Sequence, residues 1–355
     1  MHSLDDPNIY KKLDQGNSYV SIAALADQCE QAWSDVSKLT FSDHYRGLTS
    51  ILFAGMGGSA YGARIVKSLF SDSLTVPVDI VNDYHLPSYT NQDTLVVAAS
   101  YSGTTEETIS CANEAIAKQV PLIGICNGGP LGKLLSDAKA PAYIFMPTHN
   151  PSGQPRLGQG YMQAGQIAML SSLGYLKVDS EALSSCIGQM RKRTEMLSQE
   201  SQFEKNPAKQ LAQRIVNKEV LLIGSGFLEG AIAAIRNPFH ETGKHMAHYY
   251  IVPELNHHLM EGLRFPQIQK QLAFVLIHSS LYETAIQKRM SLTGQVVGKN
   301  NVETVDIHLS FEGKLAQVFE LIQLGSFVTF YLAMLHGVDP AKIPWVDYFK
   351  KKLKE

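Results

Sequence analysis

The strongest constraint on the fold is an internal repeat. An apolar run, Ile51-Leu-Phe-Ala, breaks into the glycine turn Gly55-Met-Gly-Gly-Ser-Ala60, and a second run, Val220-Leu-Leu-Ile, breaks into Gly224-Ser-Gly-Phe227. Each reads as a buried strand feeding a tight turn and then a helix, Tyr61–Phe70 in the first case and Ala231–Arg236 in the second. Gly55 falls opposite Gly224. Leu95–Ser100 matches Phe274–Ser280, each a strand followed by a helical stretch. Long apolar helices, Tyr161–Gly174 and Leu321–Gly337, close the two halves on a glycine, with Asp179 and Asp339 just beyond. Strands alternating with helices pair in parallel through crossover helices. The expected fold class is therefore α/β, with two doubly wound parallel-sheet subdomains related by duplication. A chain of 355 residues is long enough for two such cores. The expected division is a polar helical segment over 1–45, a first subdomain over 46–190 and a second over 191–355 ending in a helix. The boundary is placed in the polar stretch Arg191–Asn206.

Composition removes several function classes. The formal net charge is −2, so no global field draws in nucleic acid or anionic lipid. The basic tail Lys350–Lys354 reads as a solvated helix end. Cys29, Cys111, Cys126 and Cys186 show no CxxC spacing and read as reduced, buried thiols. No run of about 18 apolar residues is expected to span a membrane. The opening MHSLDDPNIY shows no charged-then-apolar leader, and a cytoplasmic location is expected.

Features present in only one half are candidates for chemistry. The first half carries Ser100-Tyr-Ser-Gly-Thr-Thr-Glu-Glu-Thr108 directly after a strand, while the second has Ser279-Ser-Leu-Tyr-Glu-Thr in the matching place, without the glycine and most hydroxyls. A helix N-terminus at the carboxyl end of a parallel strand offers free N–H groups to an anion. Ser100, Ser102 and Thr105 add hydroxyls, and Gly103 lets backbone approach closely. Capping by Thr104 or Thr105 is the competing reading, but four hydroxyls around a glycine exceed what a cap needs. The turn at Gly55–Ala60 also matches G-x-G-x-x-G/A, with Asp83 downstream, as in dinucleotide-binding folds. The neighbouring hydroxyl-rich loop argues for a monophosphate instead.

Gly57-Gly-Ser59, the Ser100–Thr108 loop, Gly153-Gln-Pro-Arg156 and Pro253-Glu-Leu-Asn-His257 follow one another in that order. With them the sequence resembles the bifunctional phosphoglucose/phosphomannose isomerases of the sugar-isomerase (SIS) superfamily, from about Ile51 to the C-terminus. The resemblance implies two SIS-type subdomains, a homodimer with active sites at the interface, and a sugar-phosphate substrate. It implies that Gly58, Ser59, Ser100, Ser102 and Thr105 hold the phosphate, with Arg156 from the Pro-Arg motif. It also implies that Glu241 is the catalytic carboxylate, that His257 opens the sugar ring, and that Lys350 matches a C-terminal lysine. The sequence departs from the family where His240 and Thr242 flank Glu241, where Thr104 replaces a common asparagine, and where Ala60 replaces a glycine.

Aldose–ketose isomerisation needs a base to carry a carbon-bound proton between C1 and C2, and an acid/base group to open the ring. Glu241 and His257 suit those tasks, and Arg156 suits a developing oxyanion. No cofactor is expected. His240, His245, His248, His257 and His258 do not form a recognised zinc pattern, so no metal is expected either. Three other readings stay open: an amino-sugar-phosphate isomerase or deaminase, a non-catalytic sugar-phosphate-binding protein, and a nicotinamide dehydrogenase built on Gly55-x-Gly57. The second would not need Arg156, Glu241 and His257 together.

Overall fold

The computed structural model describes residues 2–353 and 355. Met1 and Lys354, the latter part of the basic tail, lie outside the described residues. Among the described residues, nine strands form two wholly parallel sheets. The first contains β1 (Ser50–Gly55), β2 (Val78–Val81), β3 (Thr94–Ala99), β4 (Leu122–Cys126) and β5 (Ala142–Ile144) in the order β2-β1-β3-β4-β5. The second contains β6 (Glu219–Ser225), β7 (Ala247–Val252), β8 (Leu272–His278) and β9 (Glu303–His308) in the order β7-β6-β8-β9. The second order repeats the first strand for strand over its four strands, as the repeat predicts.

The duplication extends to backbone detail. Gly57 and Gly226, two residues beyond the matched Gly55 and Gly224, turn out of β1 and β6 at φ +50° and +51°. Side chains with a Cβ resist this left-handed region. The helices Gln159–Ser172 and Lys314–Leu335 both end one residue before the residue that precedes a left-handed glycine, Gly174 at φ +85° and Gly337 at φ +69°. Such a glycine closes a helix by letting the chain fold back onto its last carbonyls.

Lys314–Leu335 begins earlier than its apolar core at Leu321. By length and composition it is long enough to cross a membrane, contrary to the expectation that no such stretch exists. Its apolar window is 94% buried within the protein. Its polar residues are bonded inside: Glu320 accepts from the Ser310 and Phe311 N–H groups and pairs with Arg193 at 2.9 Å, while Gln317 accepts from Ser279. Buried polar groups satisfied in this way add little net cost.

The N-terminal helices are part of the same body. Gln28, fully buried on Leu25–Val36, donates to the Leu157 and His149 carbonyls and accepts from Gly160 N–H, tying that helix to the turn carrying Arg156. Ser180–Leu197 is one continuous helix, so a boundary after residue 190 falls inside it. Arg191 on this helix pairs with Asp27 and Glu30, and Gln323 donates to the Met190 carbonyl. All four cysteines are free and buried.

Candidate active site

In each sheet the chain runs from its first strand, β1 or β6, to the edge strand beside it and then crosses to the other side. The crevice at this reversal, at the strands' carboxyl ends, is where such folds take ligands. In the first sheet it lies between the Gly57–Ala60 turn after β1 and the Ser100–Thr105 loop after β3. The two walls are joined: Tyr101 N–H donates to Ser59 Oγ at 2.9 Å. Gln166, fully buried on Gln159–Ser172, donates to the Ser59 carbonyl at 2.8 Å and so fixes the turn from behind.

The hydroxyls of the loop divide into two sets. Ser100 is fully buried; its Oγ accepts from Gly103 N–H and lies 2.7 Å from Thr105 Oγ1. It braces the loop. Ser102 and Thr104, whose hydroxyls are 2.8 Å apart, are more exposed. Gly103 has φ +67°, and a Cβ there would collide with the Gly128 carbonyl, so the loop's closure needs glycine. Thr105 stands at the N-cap of Glu106–Ala117, yet its side chain makes no capping bond. The capping reading therefore fails at this position, and the first-turn N–H groups receive no side-chain cap.

The second crevice differs. Tyr282 is buried at its centre, and its hydroxyl accepts from Ser225 N–H at 3.1 Å. Ser279 Oγ is engaged with Gln317 and with Leu281 N–H, and Ser225 Oγ donates to the Val252 carbonyl. A phenol ring and internal bonds thus engage the polar groups of the second crevice. The sequence showed the missing hydroxyls but not the phenol contact.

The second subdomain reaches the first crevice through the helix Glu229–Glu241, which packs against the Gly57–Ala60 turn and against Tyr61–Leu69. Its last residue, Glu241, places Oε2 3.9 Å from Arg156 Nη1, with the Glu241 side chain one-third exposed. Arg156 itself is 6% exposed. Its Nε donates to Thr242 Oγ1 (3.3 Å), Nη1 to Gln154 Oε1 (3.0 Å), and Nη2 to the Pro340 and Ala341 carbonyls (2.7 and 2.8 Å). One guanidinium thus fastens together the Gly153–Leu157 turn, the end of the Glu229–Glu241 helix and the C-terminal segment. Lys244, not singled out beforehand, donates to the Asp339 and Pro340 carbonyls. Desolvation pushes its ammonium down to about 8, Arg156 acts in the same sense, and Asp339 and Glu241 oppose both. Asp347, on the C-terminal helix Pro344–Lys352, is close enough to act on Arg156. Lys350 lies one turn further along that helix, exposed.

His257 is not brought to Glu241 within one chain. Glu241 precedes β7 and His257 follows it, so the six-residue strand separates them by about 20 Å at the usual rise per residue. The Glu254–His257 turn is held by buried Leu255 and by Asn256, which donates to Thr293 Oγ1 at 2.7 Å, while His257 is exposed. The other histidines disperse. His245 pairs with His336 at 3.1 Å, His240 with the Ala247 carbonyl, His248 with Glu219 and His258 with Glu254.

Residues 45–155 match the SIS domain, and residues 204–353 match the bacterial phospho-glucose isomerase C-terminal SIS domain. A bifunctional phosphoglucose/phosphomannose isomerase of Caldicellulosiruptor bescii is 30% identical over 95% of this chain and 99% of its own. Its counterpart from Thermoplasma volcanium is 31% identical over 85% of this chain and 91% of its own. Among solved structures, a hypothetical protein from Thermus thermophilus shares the fold with a TM-score of 0.74 at 15% identity, covering 98% of this chain and 92% of its own. With both subdomains matched in order and relatives aligned over nearly their whole length, the chain belongs to the bifunctional phosphoglucose/phosphomannose isomerase family.

Proposed function

We propose that this protein interconverts glucose 6-phosphate and mannose 6-phosphate with fructose 6-phosphate through a cis-enediol. The observation that carries the reading is the hydroxyl-rich Ser100–Thr105 loop joined to the Gly57–Ala60 turn in the first subdomain, with the Glu241–Arg156 pair at the end of the helix packed against that turn, while Tyr282 engages the equivalent groups of the second subdomain. The phosphate sits on the first-turn N–H groups of Glu106–Ala117, with Ser59, Ser102 and Thr105 donating hydroxyls and Gly58 its backbone, and Ser100 bracing the loop. Glu241 removes the C2 proton of the open-chain aldose. The C–H electron pair becomes the C1–C2 double bond, and the C1 carbonyl oxygen is protonated. Return of the proton to C1, with loss of the O2 proton, yields the ketose. Atoms and electrons balance without an oxidant.

A coupled assay for fructose 6-phosphate from glucose, mannose and glucosamine 6-phosphates, with and without EDTA, tests the reading. Turnover of the first two substrates, unaffected by EDTA, is expected. Turnover of glucosamine 6-phosphate alone would move the protein to amino-sugar chemistry. Binding without turnover would make it a sensor. Activity lost in EDTA and restored by zinc would give the dispersed histidines a metal-binding role.

The separation of Glu241 from His257 along β7 supports a homodimer in which His257 serves the partner's site, opening the ring, with Lys350 beside it. The C-terminal helix, with Trp345, Tyr348, Phe349 and Leu353 exposed, supports the same assembly, since a contiguous apolar face of this kind marks an interaction surface. Inactive Glu241→Gln and His257→Ala chains, mixed and allowed to exchange, should regain activity in about a quarter of their sites, one intact site per mixed dimer. Exchange without recovery would place both groups in one chain.

A further inference from the structure

We infer that Asn237 orients the substrate by hydrogen-bonding a hydroxyl on C3 or C4 of the sugar, an inference that rests on the function proposed above. Asn237 lies one turn before Glu241 on the same helix, and residues four apart share a helix face. Its Nδ2 is 4.0 Å from the point where a Cβ on Gly57 would sit. The amide therefore stands between the turn that takes the phosphate and the carboxylate that takes the proton. The helix pitch of about 5.4 Å that separates Asn237 from Glu241 is of the order of the reach along a hexose from C6 to C2. A sugar anchored by its phosphate and presented to Glu241 must pass its C3–C4 segment by Asn237.

The free protein gives this amide nothing to do. Among the described residues its side chain makes no hydrogen bond, although it is partly buried. Asparagine in a helix interior is also less favourable than alanine. Its neighbour Arg236 has a buried Nε without a partner, although its guanidinium lies over the Tyr249 ring at 5.7 Å. The Arg236 guanidinium and the Glu241 carboxylate both act on the buried Tyr61 phenol, which burial pushes up to about 12. The face of the helix toward the first subdomain thus carries Arg236, Asn237 and Glu241, with the amide between two charged groups and open to a neutral partner. Unpaired polar groups on the wall of a crevice are characteristic of a surface completed by a ligand.

The chemistry gives such a contact a further use. Glucose and mannose 6-phosphates differ only at C2, and one base serves both only if the C1–C2 end can be presented in two orientations. That requires the shared C3–C6 half to be held firmly while the C2–C3 bond turns. Phosphate alone fixes one end. A second contact at C3 or C4 fixes the rest.

The test is a cycle between Asn237→Ala and substrates lacking one hydroxyl, 3-deoxy- and 4-deoxyglucose 6-phosphate. On glucose and mannose 6-phosphates, Asn237→Ala should lose about tenfold in kcat/KM, equally for both, as expected for one neutral hydrogen bond with an unpaired partner left behind. Wild type should lose a similar factor on one deoxy substrate. The variant should lose nothing further on that substrate, which would locate the bond. Inorganic phosphate should inhibit both proteins equally, and the thermal midpoint should not fall, because alanine favours the helix. Independent, additive losses on both deoxy substrates would overturn the inference while leaving the isomerase reading intact. A loss confined to mannose or to glucose 6-phosphate would overturn it as well. Wild type inactive on both natural substrates would overturn the function and this inference together.

Discussion

Glu241→Gln should reduce kcat by roughly 10²- to 10⁴-fold, the usual contribution of a positioned general base, and should leave KM for sugar phosphate within a small factor of wild type. The amide keeps the shape of the carboxylate at the end of Glu229–Glu241 and removes only the base. The proposed phosphate contacts come from the Gly57–Ala60 turn and the Ser100–Thr105 loop of the other subdomain, which the change does not touch. The buried Arg156 loses one partner at 3.9 Å but keeps its bonds to Gln154, Thr242, Pro340 and Ala341, so the fold should hold. Exchange of the C2 proton with deuterated solvent should fall in step with kcat, because both need the same proton removal. Near-normal turnover, or exchange that persists while turnover fails, would move the base elsewhere. His240, next to Glu241 in the chain, is engaged with the Ala247 carbonyl.

How much of this was legible beforehand follows from what kind of fact each part is. The two sheets were legible because apolar strands ending in glycine recur in register, and the turn at Gly57 and Gly226 requires a residue that tolerates positive φ. The difference between the two crevices was half legible. The loss of hydroxyls after β8 is visible in the sequence, but the ring of Tyr282 reaching Ser225 N–H is a contact across 57 positions that no local pattern encodes. Ser100 counted as a ligand by its chemistry, and only its burial shows it bonded to Gly103 and Thr105. The long helix was read as starting at Leu321 because Gln317 and Glu320 break the apolar run, and their partners, Ser279, Ser310 and Arg193, come from elsewhere in the chain. Glu241 and His257 look close in sequence and are not, because a strand crosses the sheet between them. Lys244 and Asn237 carried no motif. They matter through what the fold places beside them, the carbonyls of Asp339 and Pro340 in one case and the Gly57 turn in the other.

Arg156 is the position where substitution should damage stability and turnover together, and the way the two losses combine identifies its role. Its side chain is almost wholly buried, and its N–H groups face Thr242, Gln154 and the Pro340 and Ala341 carbonyls. Arg156→Met preserves bulk but leaves the Ala341 carbonyl without its donor, while the Pro340 carbonyl keeps Lys244, an expected loss of roughly 1–3 kcal/mol for one unsatisfied group. It should also let the end of the Glu229–Glu241 helix and the C-terminal segment drift apart. A shift of about an ångström in a reacting group costs on the order of 10² in rate, so kcat should fall at least that far. Arg156→Lys separates bracing from charge. Lysine restores a cation near Glu241 but cannot reach four acceptors in three directions, because the planar fork of the guanidinium has no equivalent in an ammonium. If the positive charge on a developing enediolate were the main contribution, lysine would recover most of the lost kcat. With four of the guanidinium's five N–H groups bonded to protein, the expected result is different: Arg156→Lys should remain within about tenfold of Arg156→Met in kcat, with a thermal midpoint only partly restored. Full recovery of turnover by lysine would show that Arg156 acts on the substrate through its charge and that its bonds across the subdomain seam are secondary.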